Sequence, residues 1–143
     1  METRHKVFAS VHLFLISEKG ILLHLRQNSS FADQYGLIAG HIDGGESATK
    51  AIIRESYEEA GITITPESLS MACVSHSNAN NNEYVQFFFV CKSWDGEIQN
   101  KELLKCKELK FFSLNNLPEN IVPYIKTAIE NYKQGNIYFE TEW

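Results

Sequence analysis

The hydrophobic pattern of the first forty residues predicts a β-hairpin followed by a short strand. Residues 7–16 and 21–26 are rich in β-branched, aromatic and other apolar side chains, and a turn that ends at Gly20 separates them. A polar, loop-like stretch over residues 27–34 follows, and residues 36–39 are apolar again. The pattern therefore places the early part of the chain in a β-sheet.

The next segment has helical spacing. Ala48, Ala51 and Ile52 recur at the interval that forms one buried stripe of a helix. Ser47 is a suitable N-cap and Gly61 a suitable C-terminal stop. We predict a helix over residues 47–60.

The second half of the chain again has strands and then a helix. Apolar runs predict strands over residues 69–76, 84–92 and 108–114, with a polar loop over 77–83. Amphipathic spacing predicts a helix over residues 122–132, and the aromatic tail 136–143 is expected to pack on the body of the protein. This order indicates an α+β fold or a sandwich, with a mixed sheet between helices. The length of 143 residues fits one domain, which we expect to span residues 1–143.

Composition excludes several classes of protein. The net charge is −5 with no block rich in Lys or Arg, which argues against broad nucleic-acid binding. No apolar run approaches the roughly 20 residues of a membrane span, and no signal-peptide pattern is present. The three cysteines have no metal-site spacing, so we expect reduced core residues and a cytoplasmic protein.

Three carboxylates on the first predicted helix are the strongest sign of chemistry. Glu55, Glu58 and Glu59 lie at positions i, i+3 and i+4, so they share one helix face and repel each other. Two of them also lie in the last turn, where the helix dipole disfavours anions. Taken alone, the pattern is typical of a solvated acidic face with ion pairs to Arg54. A divalent cation would remove the repulsion, since Mg²⁺ prefers oxygen ligands and is commonly held by carboxylates, water and substrate phosphates.

The surrounding residues change the interpretation. Residues 40–62 fit the pattern G, five residues, E, seven residues, REU, one residue, EE, one residue, GU, in which U is a bulky aliphatic residue. This segment resembles the Nudix box, and every Gly, Glu and Arg of that pattern is matched in register. Ser56 is the one departure, because a bulky aliphatic residue is usual there. The departure affects local packing rather than the chemistry.

The similarity extends over roughly residues 7–132. Residues 35–41 resemble the strand and turn before the box, although many relatives have proline where Ile38 stands. Residues 100–120 are similar to the downstream half of a MutT-like bacterial group, in which proline is common at the position of Leu103. The resemblance implies the Nudix fold, a mixed, curved sheet sandwiched between α-helices.

The resemblance also implies roles for the residues of the box. Glu55, Glu58 and Glu59 are the expected catalytic, metal-binding carboxylates, and the Gly40 carbonyl is a further expected ligand. The structural or orienting residues are Glu46, Arg54, Gly45 and Gly61. Glu46 and Arg54 can form a fork that fixes the loop to the helix. Gly44 and Gly45 permit the turn, and Gly61 ends the helix.

The general base stays open among several carboxylates. In this superfamily it is a box glutamate or a carboxylate from a loop outside the box. The outside candidate is Glu102, with Glu97 and Glu108 as alternatives. An exposed loop acid without a catalytic role is an equally good interpretation of Glu102.

The substrate-binding residues are less specified. Arg26 is a candidate phosphate contact, and a plain surface arginine is the alternative. Tyr35 and Tyr84 are candidates for stacking a base, although aromatic residues on strands commonly face the core. His41 and His76 are further candidates for the cleft, and a structural histidine is the alternative for each. The asparagine-rich segment 77–83 offers amide donors and acceptors, or is simply a mobile polar loop.

The expected activity is hydrolysis of a diphosphate linkage in a nucleotide with Mg²⁺, or with Mn²⁺ in its place. The leading hypothesis is conversion of a nucleoside triphosphate to the monophosphate and pyrophosphate. Alternatives are a pyrophosphatase for a nucleoside diphosphate linked to another group such as a sugar, an inactive nucleotide-binding regulatory domain, and an RNA 5′-end pyrophosphohydrolase. We expect a small-molecule nucleotide as the partner, no membrane, no stable nucleic-acid complex, and a monomer or homodimer.

Overall fold

The computed structural model describes residues 3–79 and 81–143, which form a mixed sheet and two helices. The strands are β1 (Phe8–Ser17), β2 (Gly20–Arg26), β3 (Tyr35–Gly36), β4 (Ile38–His41), β5 (Leu69–Ala79), β6 (Asn82–Cys91), β7 (Cys106–Phe112) and β8 (Tyr138–Thr141). The helices are α1 (Ala48–Ala60) and α2 (Pro123–Gln134). A 3₁₀ turn, Pro66–Ser68, precedes β5.

Strand β1 is the central strand of the sheet. The strand order is β3-β2-β1-β6-β5-β8, and β4 and β7 pair with β1 and β2 outside this path. The pairs β1–β6 and β5–β8 are parallel and the others are antiparallel, so the sheet is mixed. Strand β2 pairs with β1 only near their turn, and β4 pairs with the other half of β1 from Ser10 to Leu13. Because β2 leaves this half of β1 unpaired, β4 can pair with the central strand there.

The two helices cover opposite faces of the sheet. Leu13 and Leu15 of β1 belong to the apolar cluster that contains Ile52 of α1, whereas Phe14 belongs to the cluster that contains Ile125 of α2. This alternation follows from the two-residue period of a strand. The predicted α+β architecture, a mixed sheet between helices, is confirmed.

The ends of α1 are formed by the predicted residues. The Ser47 hydroxyl accepts a hydrogen bond from the Lys50 backbone N–H at 3.2 Å, which satisfies one free donor of the first turn. Gly61 is left-handed, with φ of 68°, and its N–H donates to the Tyr57 carbonyl. Gly45 is also left-handed, with φ of 84°, in the turn before the helix. Gly44 has no such φ, and a Cβ placed there meets no atom within 4 Å, so this turn requires only one of its two glycines.

Two predictions about strands and loops are modified by the structure. The prediction of a polar loop over residues 77–83 was wrong, because Ser77 and Asn78 of β5 pair with Tyr84 and Glu83 of β6 in a continuous hairpin. Asn80, part of that segment, lies outside the described residues. The apolar piece over 36–39 is divided at Leu37 into β3 and β4.

The tail packs on the body as predicted. It contains β8, which pairs in parallel with β5. The indole N–H of Trp143 donates to the His76 carbonyl at 3.0 Å. The cysteines are free and buried, also as predicted. None of the helices in residues 3–79 and 81–143 is long and apolar enough to pass through a bilayer.

Candidate metal centre and active site

Strand β4 and helix α1 approach each other most closely at Gly40. A Cβ built on Gly40 would overlap the side-chain carboxylate of Glu55. Glycine therefore allows the β4 backbone to lie directly beside this carboxylate. The Gly40 backbone and the Glu55 carboxylate therefore lie side by side. The sequence predicted this close approach.

The three box glutamates lie at different depths. The side chains of Glu59 and Glu55 are 11% and 14% exposed, whereas that of Glu58 is 48% exposed. The last turn of α1 carries no basic residue that would offset the helix dipole. The exposed fraction of the carboxylates therefore decreases from Glu58 to Glu55 and Glu59. In a simple solvated acidic face, all three side chains would be exposed.

Arg54 joins these carboxylates to the preceding loop. Its guanidinium donates to both oxygens of Glu46, at 2.7 and 3.1 Å, and also to Glu55 at 2.9 Å and Glu58 at 3.3 Å. The hydrogen bond from Arg54 lowers the pKa of Glu46, and Glu46 in turn raises the pKa of Arg54. This two-bond fork is the geometry predicted for orienting residues.

The loop before α1 also contacts Glu46 and Arg54. Glu46 accepts the backbone N–H of Asp43 at 2.8 Å, and the Asp43 carboxylate lies 3.3 Å from Arg54. Arg54 also donates to the carbonyl of His41 at 3.3 Å. The loop that follows Gly40 is therefore held against the helix by polar contacts at both of its ends.

Glu59 is the buried member of the set. Burial raises the pKa of its carboxyl well above the usual range, and the neighbouring Glu55 carboxylate raises it further. The Oε2 atom of Glu59 is buried without a hydrogen-bond partner. The nearest basic group is His24 of β2, whose Nδ1 lies 3.8 Å from Glu59 Oε1.

The residues fit a divalent cation of the hard type. Across the described ranges, 3–79 and 81–143, no three His, Cys, Asp or Glu side chains converge as a formed metal cluster. In this structure Arg54 Nη1 bonds to Glu55 and Glu58 instead. The unpartnered Glu59 oxygen, the close approach at Gly40 and the purely oxygen donor set match the preferences of Mg²⁺.

The candidates for the general base differ in their surroundings. Glu102 is half-buried, and its negative charge adds to the raised pKa of Glu59, after the effects of burial and of Glu55. Glu108 accepts the hydroxyl hydrogen bond of Tyr35, and Glu97 is exposed. Glu102 is thus a carboxylate outside the box whose charge contributes to the raised pKa of a box glutamate.

The proposed substrate residues do not all lie together. His41 and Tyr84 are neighbours, with His41 Nε2 3.3 Å from the Tyr84 hydroxyl, and Phe8 packs against both rings. Arg26 is half-buried, with its Nε bonded to the Ser30 carbonyl at 2.9 Å. These side chains border the end of the sheet from which the box loop leaves.

Tyr35 occupies a different environment from the other substrate candidates. It is 9% exposed, belongs to the core cluster on the α2 side, and donates to Glu108. Burial and this hydrogen bond raise the pKa of Tyr35 to about 12. This position suits a core aromatic residue, which was the alternative interpretation of Tyr35, so we do not include it in the substrate site below.

Sequence reasoning did not single out His24. A histidine within an apolar strand is typical of a core residue, and its partner Glu59 lies far along the chain. One signal was available. Leu22 and His24 share one face of β2, so a polar ring interrupts the apolar face that packs on α1.

Comparisons with known proteins identify the family of this chain. The model of the NUDIX domain matches residues 6–132. A protein of Methanocaldococcus jannaschii named ADP-ribose pyrophosphatase is 31% identical over 99 residues, which cover 69% of this chain and 57% of that protein. The chain therefore matches a little over half the length of that curated relative.

Solved structures show the same fold. A MutT NUDIX hydrolase from Burkholderia pseudomallei superimposes with a TM-score of 0.80 and 25% identity, covering 88% of this chain and 98% of that one. A MutT protein from Methanosarcina mazei superimposes with a TM-score of 0.79 and 21% identity, covering 94% and 99%. Because the model of the NUDIX domain matches residues 6–132, which are most of the chain, this chain belongs to the Nudix hydrolase family.

Proposed function

We propose that this protein hydrolyses a diphosphate linkage in a nucleotide, with a divalent cation at the box carboxylates. The observation that carries the proposal is the buried Glu59 carboxyl, which has an unpartnered oxygen and lies beside a second carboxylate. Burying such a group without compensation is unfavourable, so folds retain the arrangement mainly where a cation or a reaction requires it.

The roles of the residues follow from their contacts. Glu55, Glu58, Glu59 and the Gly40 carbonyl would hold Mg²⁺ or Mn²⁺. The bound ion would neutralise phosphate charge and lower the pKa of a water molecule. The Arg54–Glu46 fork keeps the loop after Gly40 in register with α1. Arg26 and His41 supply positive or hydrogen-bonding groups for phosphates, and Tyr84 offers an aromatic face.

The reaction is attack of water on one phosphorus of the linkage. The water oxygen forms a bond to that phosphorus, the bridging P–O bond breaks, and the second phosphate leaves with the bond electrons. Glu102 is the proposed acceptor of the water proton, because its charge lies close enough to act on Glu59. The rate then depends mainly on positioning and electrostatics, as is usual for phosphoryl transfer.

The leading substrate class is a nucleoside triphosphate, cleaved to the monophosphate and pyrophosphate. A second class is a nucleoside diphosphate joined to another group. The relative from Methanocaldococcus jannaschii, which is named for ADP-ribose, favours this second class. Both classes contain the same linkage, so the box serves either, and the residues that contact the remainder of the substrate decide between them.

A substrate panel tests the proposal. The protein is incubated with Mg²⁺ and nucleoside triphosphates, nucleotide sugars, ADP-ribose, and capped or triphosphorylated RNA, and released phosphate and pyrophosphate are measured. We expect turnover of a small nucleotide and little turnover of RNA. A protein that hydrolyses no member of the panel would be the binding domain rather than the enzyme.

The variant Glu58→Gln tests the assignment of the box. It removes one negative charge from an exposed position on α1, so the fold should survive while the rate falls by roughly two orders of magnitude or more. Glu130→Gln on α2 is the matched control, since it removes an exposed carboxylate from the opposite face of the sheet. A Glu58→Gln rate within a few-fold of wild type contradicts the metal assignment.

A further inference from the structure

Two neighbouring residues after β2 contact the turn that precedes β7. The side-chain amide of Gln27 donates to the Leu103 carbonyl, and that of Asn28 donates to the Leu104 carbonyl at 2.9 Å. The backbone N–H of Gln27 donates to the Lys105 carbonyl, also at 2.9 Å. Three consecutive carbonyls of one turn therefore accept hydrogen bonds from two consecutive residues in a distant part of the chain.

The contacted turn carries Glu102 and is closed by its own backbone. The N–H groups of Lys105 and Cys106 both donate to the Glu102 carbonyl at 2.8 Å, as in a single turn of helix. A single turn supplies no partners for its last carbonyls, so water or groups outside the turn must satisfy them. Here Gln27 and Asn28 supply the donors.

Apolar packing contributes little at the tip of this turn. Leu103 and Leu104 are 72% and 80% exposed, so their side chains gain little from burial. The base of the turn is held by Asn100, whose side chain accepts the Glu102 backbone N–H at 3.0 Å and donates to the Cys106 carbonyl at 2.7 Å. The tip therefore depends on its hydrogen bonds to the two residues after β2.

The backbone conformation of Asn28 restricts which residue types fit at this position. Asn28 has φ of 53°, in the left-handed region that glycine, asparagine and aspartate adopt most readily. Of these three residue types, only asparagine has a side-chain N–H that can donate to a carbonyl. Asn28 therefore meets a backbone requirement and a hydrogen-bonding requirement at the same time.

We propose that Asn28 is a positioning residue which, together with the contacts of Gln27, holds the turn of Glu102 where this carboxylate can reach the attacking water. The inference rests on the proposed function, in which Glu102 accepts the proton of that water. Proton transfer requires the carboxylate to be within hydrogen-bond reach of the water, and displacements near 1 Å lower rates by about a hundredfold. A loosened turn should therefore lower kcat, whereas binding of the metal and the substrate should change little.

Two variants of Asn28 remove the hydrogen bond in different ways. Asn28→Asp keeps the shape and the left-handed preference of the residue but loses the N–H donor. Asn28→Gly removes the side chain without straining the backbone. Asn131→Asp is the matched control, because the Asn131 amide also donates to a backbone carbonyl at 2.9 Å, that of Thr127, but does so within α2 rather than between two loops.

A double-mutant cycle with Glu102→Gln separates positioning from general stability. Glu102→Gln removes the proposed proton acceptor and should lower kcat by about a hundredfold or more. We expect each Asn28 variant to lower kcat roughly tenfold, with little change in KM or in the dissociation constant for Mn²⁺. In the Glu102→Gln background the same variants should lower kcat no further, because they act through the group already removed. Asn131→Asp should have wild-type kinetics.

Amide hydrogen exchange tests the contact independently of activity. The N–H groups of Lys105 and Cys106 are bonded within the turn, so they exchange faster when the turn opens more often. We expect faster exchange at both amides in the two Asn28 variants than in wild type and Asn131→Asp.

Several outcomes overturn the inference. They are wild-type kcat in the Asn28 variants, the same fold-loss with and without Glu102→Gln, an equal loss in Asn131→Asp, unchanged exchange, or failure of both Asn28 variants to fold. Wild-type kcat in Glu102→Gln contradicts the proposed base and the inference with it. A wild-type protein that hydrolyses nothing contradicts the proposed activity, and the exchange comparison alone then decides whether Asn28 holds the turn.

Discussion

At the scale of single residues, the site depends on the absence of one side chain. Gly40 lies in β4, and a Cβ there would overlap the Glu55 carboxylate. We predict that Gly40→Ala displaces Glu55 and weakens Mn²⁺ binding, with a fall in kcat/KM of about a hundredfold, because displacements near 1 Å carry penalties of that size. Calorimetry with Mn²⁺ and steady-state kinetics measure both effects.

Gly44→Ala is the control for this substitution. It lies four residues away in the loop, has an ordinary φ and has open space where the Cβ would lie. We expect wild-type metal affinity and rate. Equal behaviour of the two alanine variants would show that the close approach at Gly40 has no part in the site.

The residues of the site could be predicted to different extents. Glu46, Arg54, Glu55 and Glu58 are close in sequence, and a local pattern sets their contacts, so their arrangement followed from spacing. The contact of His24 with Glu59 depends on how β2 lies against α1, which no local spacing encodes. The burial of Tyr35 is of the same kind, since strand alternation leaves open which face is covered.

At the scale of elements, α1 contains a residue that departs from the family pattern. Ser56 is fully buried, and its hydroxyl donates to the Ile52 carbonyl at 2.7 Å within the same helix. That carbonyl keeps its helical hydrogen bond when the hydroxyl is removed, and alanine is the better helix former. We therefore predict that Ser56→Ala is neutral or stabilises the protein by up to about 0.5 kcal/mol.

The larger side chain that relatives carry should behave differently at this position. The site is fully enclosed around a small side chain, so Ser56→Leu forces its neighbours apart and costs roughly 1–3 kcal/mol. Urea unfolding of both variants measures the two free energies. A stabilised Ser56→Leu would mean that the core beside α1 has unfilled space.

The helices and strands could be predicted from the sequence where local residues mark their ends. Ser47 and Gly61 mark α1 to within one residue because capping is a local interaction. Strand β8 is only four residues long, and the hairpin ends of β5 and β6 carry few apolar residues. They are strands because neighbouring backbones bond to them, and β5 supplies those bonds to β8 from far along the chain.

At the scale of the whole molecule, the sheet brings β4 beside the centre and packs α1 on one face. Glu59 is buried between α1 and the sheet as a result, and Glu55 lies next to it. The body of the protein therefore encloses a carboxyl group that favours its protonated form. The stability of the fold should then depend on both pH and divalent cations.

The sign of this dependence follows from the raised pKa of Glu59. Its ordinary value is 4.5, and burial, followed by the Glu55 carboxylate, raises it in the folded protein. A group with a raised folded-state pKa contributes stability that is complete below its unfolded pKa and is lost as pH rises towards the folded value. In EDTA, the wild-type melting temperature should therefore fall more between about pH 5 and about pH 8.5 than that of Glu59→Gln, which cannot ionise.

Divalent cations should reverse this loss in the wild type alone. Binding to the folded state stabilises it by mass action, and the ionised Glu59 is the form that binds. At about pH 8.5, Mg²⁺ should raise the wild-type melting temperature clearly and that of Glu59→Gln little, as measured by circular dichroism. The prediction fails if both proteins have the same pH dependence in EDTA and the same response to Mg²⁺. Ionisation of Glu59 then does not destabilise the fold, and Glu59 does not bind the ion. The metal site would in that case be formed by Glu55 and Glu58 without Glu59.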